Sequence, residues 1–500
     1  MRFIVVLAIV FGTAEAVYAQ AAATPPVKFG DVVVSGSLRT RTEVWNWFEG
    51  GANGDYVYSG NLARFGLSQT KKRYDWQLEF AVPFLLGLPD DAIASAPQGQ
   101  FGFGAAYFAA NGNRTNVGGL FVKQASIRVK GFGGIDGQSV KAGRMEFIDG
   151  TEVAPGNATL VAVKRDRIAH RLLGNFAFSH VGRSFDAGQY VLSNKKLNFT
   201  FLGGRPTEGV FQVNGWFERE GWRDMDINVF YGALTGQTGM GPTAGEWRVF
   251  GIGYRDYRDG IKDGTVLKTD NRATAARKAD HEPMNIGTFG GHYLRTVPTP
   301  HGPIDFLAWG AGQFGSWGTL DHRAGAFAAE AGWQPQALKA IAPWFRGGYT
   351  YGSGDRDPND TRHGTFFQIL PTPRVYARFP FFNMMNTEDG FGEIILRPSG
   401  SLKNLTVRTD VHALRLTKTE DLWYVGGGAF QPSTFGFTGR PSNGQSGLAT
   451  LYDVSGDYRI NGYASVTVYY GHAAGRPVIE AIYPKGADAD LGYVELTLRF

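Results

Sequence analysis

Leu491-Gly-Tyr-Val-Glu-Leu-Thr-Leu-Arg-Phe500, the stretch that ends the chain, alternates without a break. Gly492, Val494, Leu496, Leu498 and Phe500 fall on one face of a strand, and Tyr493, Glu495, Thr497 and Arg499 on the other, because successive Cβ atoms of a strand point to opposite sides. One face suits hydrocarbon and the other a polar lumen, the dyad pattern of a transmembrane barrel. The same alternation also serves the last strand of a soluble β-domain, which turns charge to water and apolar residues to a core.

The other end of the chain bears on that choice. Met1-Arg2 is followed by an apolar run over 3–11 and Ala-rich sequence to Ala19. A basic start, a short apolar core and small residues before a cut make a secretory signal peptide. Residues 1–19 are the expected leader, with a cut after Ala16 as the alternative. An uncleaved anchor is disfavoured, because the run falls short of the roughly 20 residues a helical span needs. The mature chain, 20–500, is expected to be one β-barrel channel domain. It holds no cysteine, 70 glycines in 500 residues and 14% aromatic residues. Thiolate metal sites and disulfides are thereby excluded. The formal charge of +5 is interleaved rather than blocked, so no nucleic-acid partner follows, and no cofactor is expected.

From Asp31 onward the alternation recurs. Val32, Val34, Gly36, Leu38, Thr40, Thr42 and Val44 share one face, while Ser35, Ser37, Arg39, Arg41 and Glu43 share the other. Further strands are expected near 62–68, 72–86, 121–131, 138–147, 184–194, 196–205, 225–234, 246–257, 287–297, 302–318, 322–335, 342–354, 391–399, 405–416, 450–460 and 462–473. With the first and last, the total is about eighteen, an even number as single-chain bacterial barrels require. Connections after odd strands run long and those after even strands mostly short, with one short exception after Gly318. The reading is an all-β transmembrane antiparallel barrel of about 18 strands, with long extracellular loops and short periplasmic turns. A sandwich has no reason for that rhythm. In 405–416, Arg415 takes a polar role in the phase opposite to Arg408, Asp410 and His412, so a bulge is expected near Ala413.

A chain that stops on an aromatic resembles bacterial outer-membrane barrels, whose terminal Phe is an assembly signal. Phe500 takes that role here. Gly36-Ser-Leu-Arg-Thr-Arg-Thr-Glu43, Lys123-Gln-Ala-Ser-Ile-Arg128, Lys141-Ala-Gly-Arg-Met-Glu-Phe147, Gly182-Arg-Ser-Phe-Asp-Ala-Gly188 and Gly352-Ser-Gly-Asp-Arg-Asp-Pro-Asn-Asp360 together resemble the alginate export family of outer-membrane barrels. The resemblance implies an 18-stranded channel passing a polyanionic polysaccharide through an arginine-rich constriction. It also implies barrel-assembly machinery and periplasmic export components as partners. Arg39, Arg41, Arg144 and Arg183 stand inside the matched stretches and take the constriction role from it. Strand phase adds Arg64, Arg73, Arg128, Arg346, Arg408 and Arg499 as pore-lining residues. A ring of permanently charged, fork-shaped guanidiniums selects for carboxylates. The alternative is that each arginine pairs with a neighbouring acid and braces the wall. Glu43, Asp75, Glu79, Asp226, Asp410 and Glu495 share the same predicted face, so the lumen is mixed in charge, and passive diffusion of small hydrophilic solutes through a general porin stays open.

Two other chemistries were weighed. Asp355, Asp357 and Asp360 offer carboxylates at close spacing for calcium, but the glycine and glutamate of an EF-hand loop are missing, and a solvated loop is the plainer reading. An outer-membrane phospholipase or protease would draw on His292, His301, His322, His412 or His472, yet no nucleophile elbow, zinc motif or phosphate loop accompanies them. Aromatic clusters at Trp216-Phe217, Trp222, Trp423-Tyr424 and Tyr469-Tyr470 are expected in the interfacial girdles. Trp45 and Trp47 share the phase of Arg41 and are expected inside.

Overall fold

The computed structural model describes residues 27–213, 224–372 and 377–500. The expected leader lies outside the described residues, as do Trp216, Phe217 and Trp222. Eighteen strands close one antiparallel barrel: β1 (Val32–Asn46), β2 (Asp55–Thr70), β3 (Tyr74–Leu86), β4 (Phe121–Lys130), β5 (Gln138–Met145), β6 (Phe185–Ser193), β7 (Leu197–Pro206), β8 (Ile227–Thr238), β9 (Gly245–Asp256), β10 (Met284–Val297), β11 (Ile304–Trp317), β12 (Leu320–Trp333), β13 (Trp344–Gly352), β14 (Thr387–Leu396), β15 (Leu405–Leu416), β16 (Gly447–Arg459), β17 (Ala464–Gly475) and β18 (Asp488–Arg499). Each pairs with its neighbours in sequence. No described helix is long and apolar enough to cross a membrane.

The seam is the pairing of β1 with β18, where Leu38 faces Leu498, Thr42 faces Val494 and Arg41 faces Glu495. Phe500 extends it by one residue: its amide donates to the Gly36 carbonyl at 3.0 Å, and its carbonyl accepts from the Gly36 amide at 3.2 Å. The Phe500 ring covers Gly36 so closely that a Cβ there would lie 2.3 Å from a ring carbon. Glycine at 36 therefore lets the closing aromatic lie flat on the strand, an aromatic cap over a bare backbone position; a side chain there would push the ring away.

Outward positions on the strands carry the apolar belt. Phe65, Val82, Phe201, Phe230, Phe289, Phe314, Phe327, Val454 and Val494 are all exposed. The short exception after β11 is the two-residue turn Gly318–Thr319, with Gly318 at φ +62° and no room for a side chain beside Asp280. The irregularity expected near Ala413 falls between Leu414 and Arg415, where Leu414 faces Ala449 and Arg415 faces Gly447. The phase of β15 does not change there. Arg415 continues the outward row of Val411 and Ala413, while Leu414 and Leu416 point inward and are buried.

The long connections do not stand off the rim. Residues 87–120, 146–184, 353–372, 377–386 and 417–446 fold back into the barrel and supply its core. One cluster joins Leu160, Leu172, Phe366, Leu370 and Phe437 to Met145, Phe185, Tyr231 and Trp309 of the wall. A second joins Phe101, Phe103, Phe211, Phe379 and Trp423 to Trp45, Tyr58, Leu85 and Leu491. Within them run the helices α1 (Gly102–Ala110) and α2 (Ala158–Val163). The Asn157 side chain caps α2 by accepting from the amides of Thr159 and Leu160 at 2.9 and 3.2 Å, satisfying donors a helix start leaves open. Trp45 and Trp47 point inward as expected and pack against Phe103, Phe379 and Phe381. Trp423 and Tyr424 are not in a girdle; they lie buried on the inner hairpin of Leu422–Gly426 and Phe437–Pro441. Tyr469 likewise points inward and stacks on Tyr493 at 4.9 Å, whereas Tyr470 faces out.

Candidate channel lumen

Charged side chains fill the inward positions nearer the short-turn rim, where the core does not reach. At the seam, Arg41 is buried and donates to Glu43 at 2.8 Å, to Glu495 at 3.1 Å and to the Phe178 carbonyl at 2.8 Å. Its guanidinium lies 3.7 Å from the Phe178 ring centroid. Glu43 also accepts from the Trp45 indole at 2.9 Å. Two strand positions away, Arg39 donates to the carbonyls of Ala177, Phe178 and Ser179, the first at 2.6 Å. The pair therefore grips an inserted segment, 175–183, rather than an open pore.

Next to it, Arg64 bridges Glu79 and Glu146, the latter at 2.9 Å. Lys123, at 3.6 Å, also faces Glu146. Arg128 and Lys130 share Asp75 at 2.6 and 2.7 Å. A second group spans β11 to β15. Arg346 binds Asp305, reaches Glu330 at 3.1 Å and lies 3.8 Å from Glu393. Arg167, following α2, meets Glu330 at 3.0 Å, with Arg171 at 3.6 Å. Arg408 reaches Glu393 at 3.1 Å and Asp166 at 2.6 Å, and Asp166 also holds Arg165 at 2.6 Å. Each group alternates charge, though Arg39 Nε, Arg167 Nη2, Arg346 Nε and Glu393 Oε2 are buried without a hydrogen-bond partner among the described residues.

Four of the residues expected on the lumen wall lie elsewhere. Arg73 is exposed in the turn before β3, not on the wall. Arg144 alternates with the buried, inward Met145, so it sits in the outward phase of Ala142 and Val140, pairing with Asp186 at 2.6 Å. Asp226, paired with Arg205 at 3.1 Å, is outward too. Arg183 is not on a strand. It is wholly buried and donates to the carbonyls of Gly174, Leu370, Gly427 and Ala429 at 2.9–3.2 Å, clamping three connections together. Burial without a carboxylate pushes its guanidinium down to about 9. Arg499 faces Ser37 on the inward phase, and its amide donates to Tyr463.

Sequence phase missed Lys123 on β4 and the residues that the connections bring in: Arg165, Asp166, Arg167, Arg171 and Arg378. The run Lys164-Arg-Asp-Arg167 was the available signal, since charges of both signs on consecutive residues fit a buried network as readily as a solvated loop.

The aspartates of the 355–360 loop spend their carboxylates locally. Asp355 accepts from the Asp357 amide at 3.2 Å, Asp357 from Asn359 at 2.9 Å and Asp360 from Arg362 at 2.7 Å. Among the described residues the set spaced to hold a metal is Asp410, His412 and Asp453. Arg378 already engages Asp410 at 2.7 Å, and Asp389 takes His412 Nδ1 at 2.7 Å, which makes it an ion-pair network as it stands. Of the five histidines weighed for catalysis, His292, His412 and His472 face carboxylates and His322 faces His363. Among the described residues no hydroxyl bonds to any of the five imidazoles.

A closed 18-stranded barrel, apolar outside, charged and filled inside, defines the class of bacterial outer-membrane channels. Solved structures share this fold. The outer membrane protein OpdK of Pseudomonas aeruginosa is 10% identical, covering 93% of this chain and 98% of that one with a TM-score of 0.52. OccK2 (OpdF) of the same organism, solved in complex with glucuronate, is 9% identical over 94% and 96%, TM-score 0.52. OccAB2 of Acinetobacter baumannii is 8% identical over 93% and 98%, TM-score 0.53. At such identities the likeness is of fold alone. No curated protein matches in sequence. The alginate export profile matches residues 214–478. The chain belongs to the alginate export family, which places it in the bacterial outer membrane.

Proposed function

We propose that the protein is a passive channel whose lumen favours anionic solutes, with uronate-bearing saccharides as the substrate class. The observation that carries this is which partner is the more exposed in five inward ion pairs, set against Arg41–Glu495 and Lys123–Glu146, where the carboxylate is. In Arg39–Glu495, Arg64–Glu79, Arg128–Asp75, Arg165–Asp166 and Arg408–Glu393 the arginine is 19, 25, 48, 26 and 20% exposed, and the carboxylate 14, 15, 12, 12 and 4%. The acid lies behind, and a solute touches the guanidinium edge. That edge is always charged and offers a planar fork that a carboxylate fits. The acids cut the net field, so the preference is one of contact more than of long-range attraction. A neighbour of the same fold is solved with a uronate, glucuronate, which supports the solute class.

In this reading residues 1–19 are removed on export, 20–500 form the channel, and the rim bearing both chain ends faces the periplasm, where export components deliver substrate. The long-connection rim faces the exterior. A polymer passes only when the segments held by Arg39 and Arg183 shift. Planar-bilayer recording tests the proposal. An oligouronate added to one side should interrupt the current at concentrations where a neutral oligosaccharide of equal length does not. Equal interruption by both points to a general porin, and no current together with ester or peptide hydrolysis points to an enzyme.

A further inference from the structure

The outer wall carries a crevice that the channel reading does not use. It measures about 840 Å³ and lies between β10–β13 and the 353–364 segment, near the long-connection rim. It exists because β12 reaches Leu320 while β13 stops at Gly352. The gap is filled by Arg362 and His363, which pair in parallel with Asp321 and His322. Its floor is apolar and outward: Phe289, Phe314 and Phe327 are exposed, and Phe289 stacks on Phe314 at 5.8 Å. Its rim is basic. Arg356, Arg362 and Lys418 line it, and among the described residues none of the three has a carboxylate in ion-pair range. Arg323 also lines it but is paired with Asp321 at 2.8 Å. The acids of the rim, Asp355 and Asp360, accept backbone amides of their own loop.

We propose that this crevice binds an outer-leaflet lipid with a phosphorylated headgroup, its acyl chains along the aromatic floor and its phosphates against Arg356, Arg362 and Lys418. Apolar floor and cationic rim lie at the heights where such a lipid has chains and charge, and each basic residue at that level adds to anionic-lipid affinity. The inference rests on the outer-membrane placement and not on solute selectivity.

Full-length protein in detergent micelles, with bound lipid counted by native mass spectrometry, tests it. The probes are a bis-phosphorylated disaccharide lipid, phosphatidylcholine and inorganic phosphate. The wild type should hold the phosphorylated lipid in preference to phosphatidylcholine, and inorganic phosphate in large excess should not displace it. Arg356→Ser/Arg362→Ser/Lys418→Ser should bind it roughly a hundred-fold more weakly, while Arg415→Ser, a charge removed elsewhere on the outward face, should not change binding. Unchanged single-channel conductance in the triple variant certifies its fold and separates this test from that of the channel. Equal binding by wild type and triple variant, no preference over phosphatidylcholine, or displacement by inorganic phosphate would each overturn the proposal.

Discussion

Arg39 and Arg41 look equivalent in sequence, two apart on one face, and the structure separates them. Arg41, at 1% exposure, is out of a solute's reach. It compensates Glu43, which is wholly buried. Removing one partner of a buried pair leaves an uncompensated charge, at a cost of about 3–5 kcal/mol. Arg41→Ala should therefore lower the unfolding midpoint in denaturant while the reversal potential of whatever barrel assembles stays put; a stable variant with altered selectivity would contradict this. His180 supplies the pH-dependent prediction. It is buried against Gly60, and burial, then Arg41 and Arg39, holds its imidazole well below the ordinary value. A depressed histidine contributes stability above its unfolded value of about 6.5, and that contribution is lost as pH falls toward the folded value. Acidification from pH 7 to 5 should lower the protection of the 175–183 amides relative to their intrinsic exchange rates at each pH. His180→Gln should remove that loss of protection.

The strands were legible because period two is carried by charge as well as by apolar residues. Arg39 and Glu43 against Leu38 and Val44 leave no choice of face, since reversal would put arginines into hydrocarbon at roughly 2–4 kcal/mol each near the midplane. Toward the other rim that logic fails. Met145, Phe185, Ile227 and Tyr231 point inward onto an apolar core, so both faces are apolar and polarity no longer tells in from out. Arg144, given a lumen role by the family stretch that holds it, lies in this region and takes the outward phase. The inner connections were illegible for a related reason: Phe101, Phe103 and Phe379 sit in irregular sequence whose apolar residues repeat with no strand or helix period. The closing element offers its own test. If the Phe500 ring over Gly36 completes the seam, Gly36→Val should lower the yield of heat-modifiable barrel as deletion of Phe500 does, and Val34→Ile on the same strand should not. Normal assembly of Gly36→Val would show that the ring is dispensable.

At the scale of the whole molecule, the wall and the core divide the work. An apolar core inside the barrel keeps the connections in place near one rim, and a charged network holds them near the other. The network is mixed in sign, and in five of its pairs the arginine is the more exposed partner. On the proposed reading that asymmetry, more than the number of arginines, sets the preference for anions. Among the described residues Arg64 and Arg408 each combine a strand position and an exposed edge with two acids, Glu79 and Glu146 for Arg64, Glu393 and Asp166 for Arg408.

The reversal potential of the purified channel in a potassium chloride gradient across a planar bilayer tests this most directly. Its sign should report chloride preference, and Arg64→Gln/Arg408→Gln should move it toward zero with the barrel still heat-modifiable. A wild-type channel that prefers potassium, or a double variant with an unchanged potential, would contradict it.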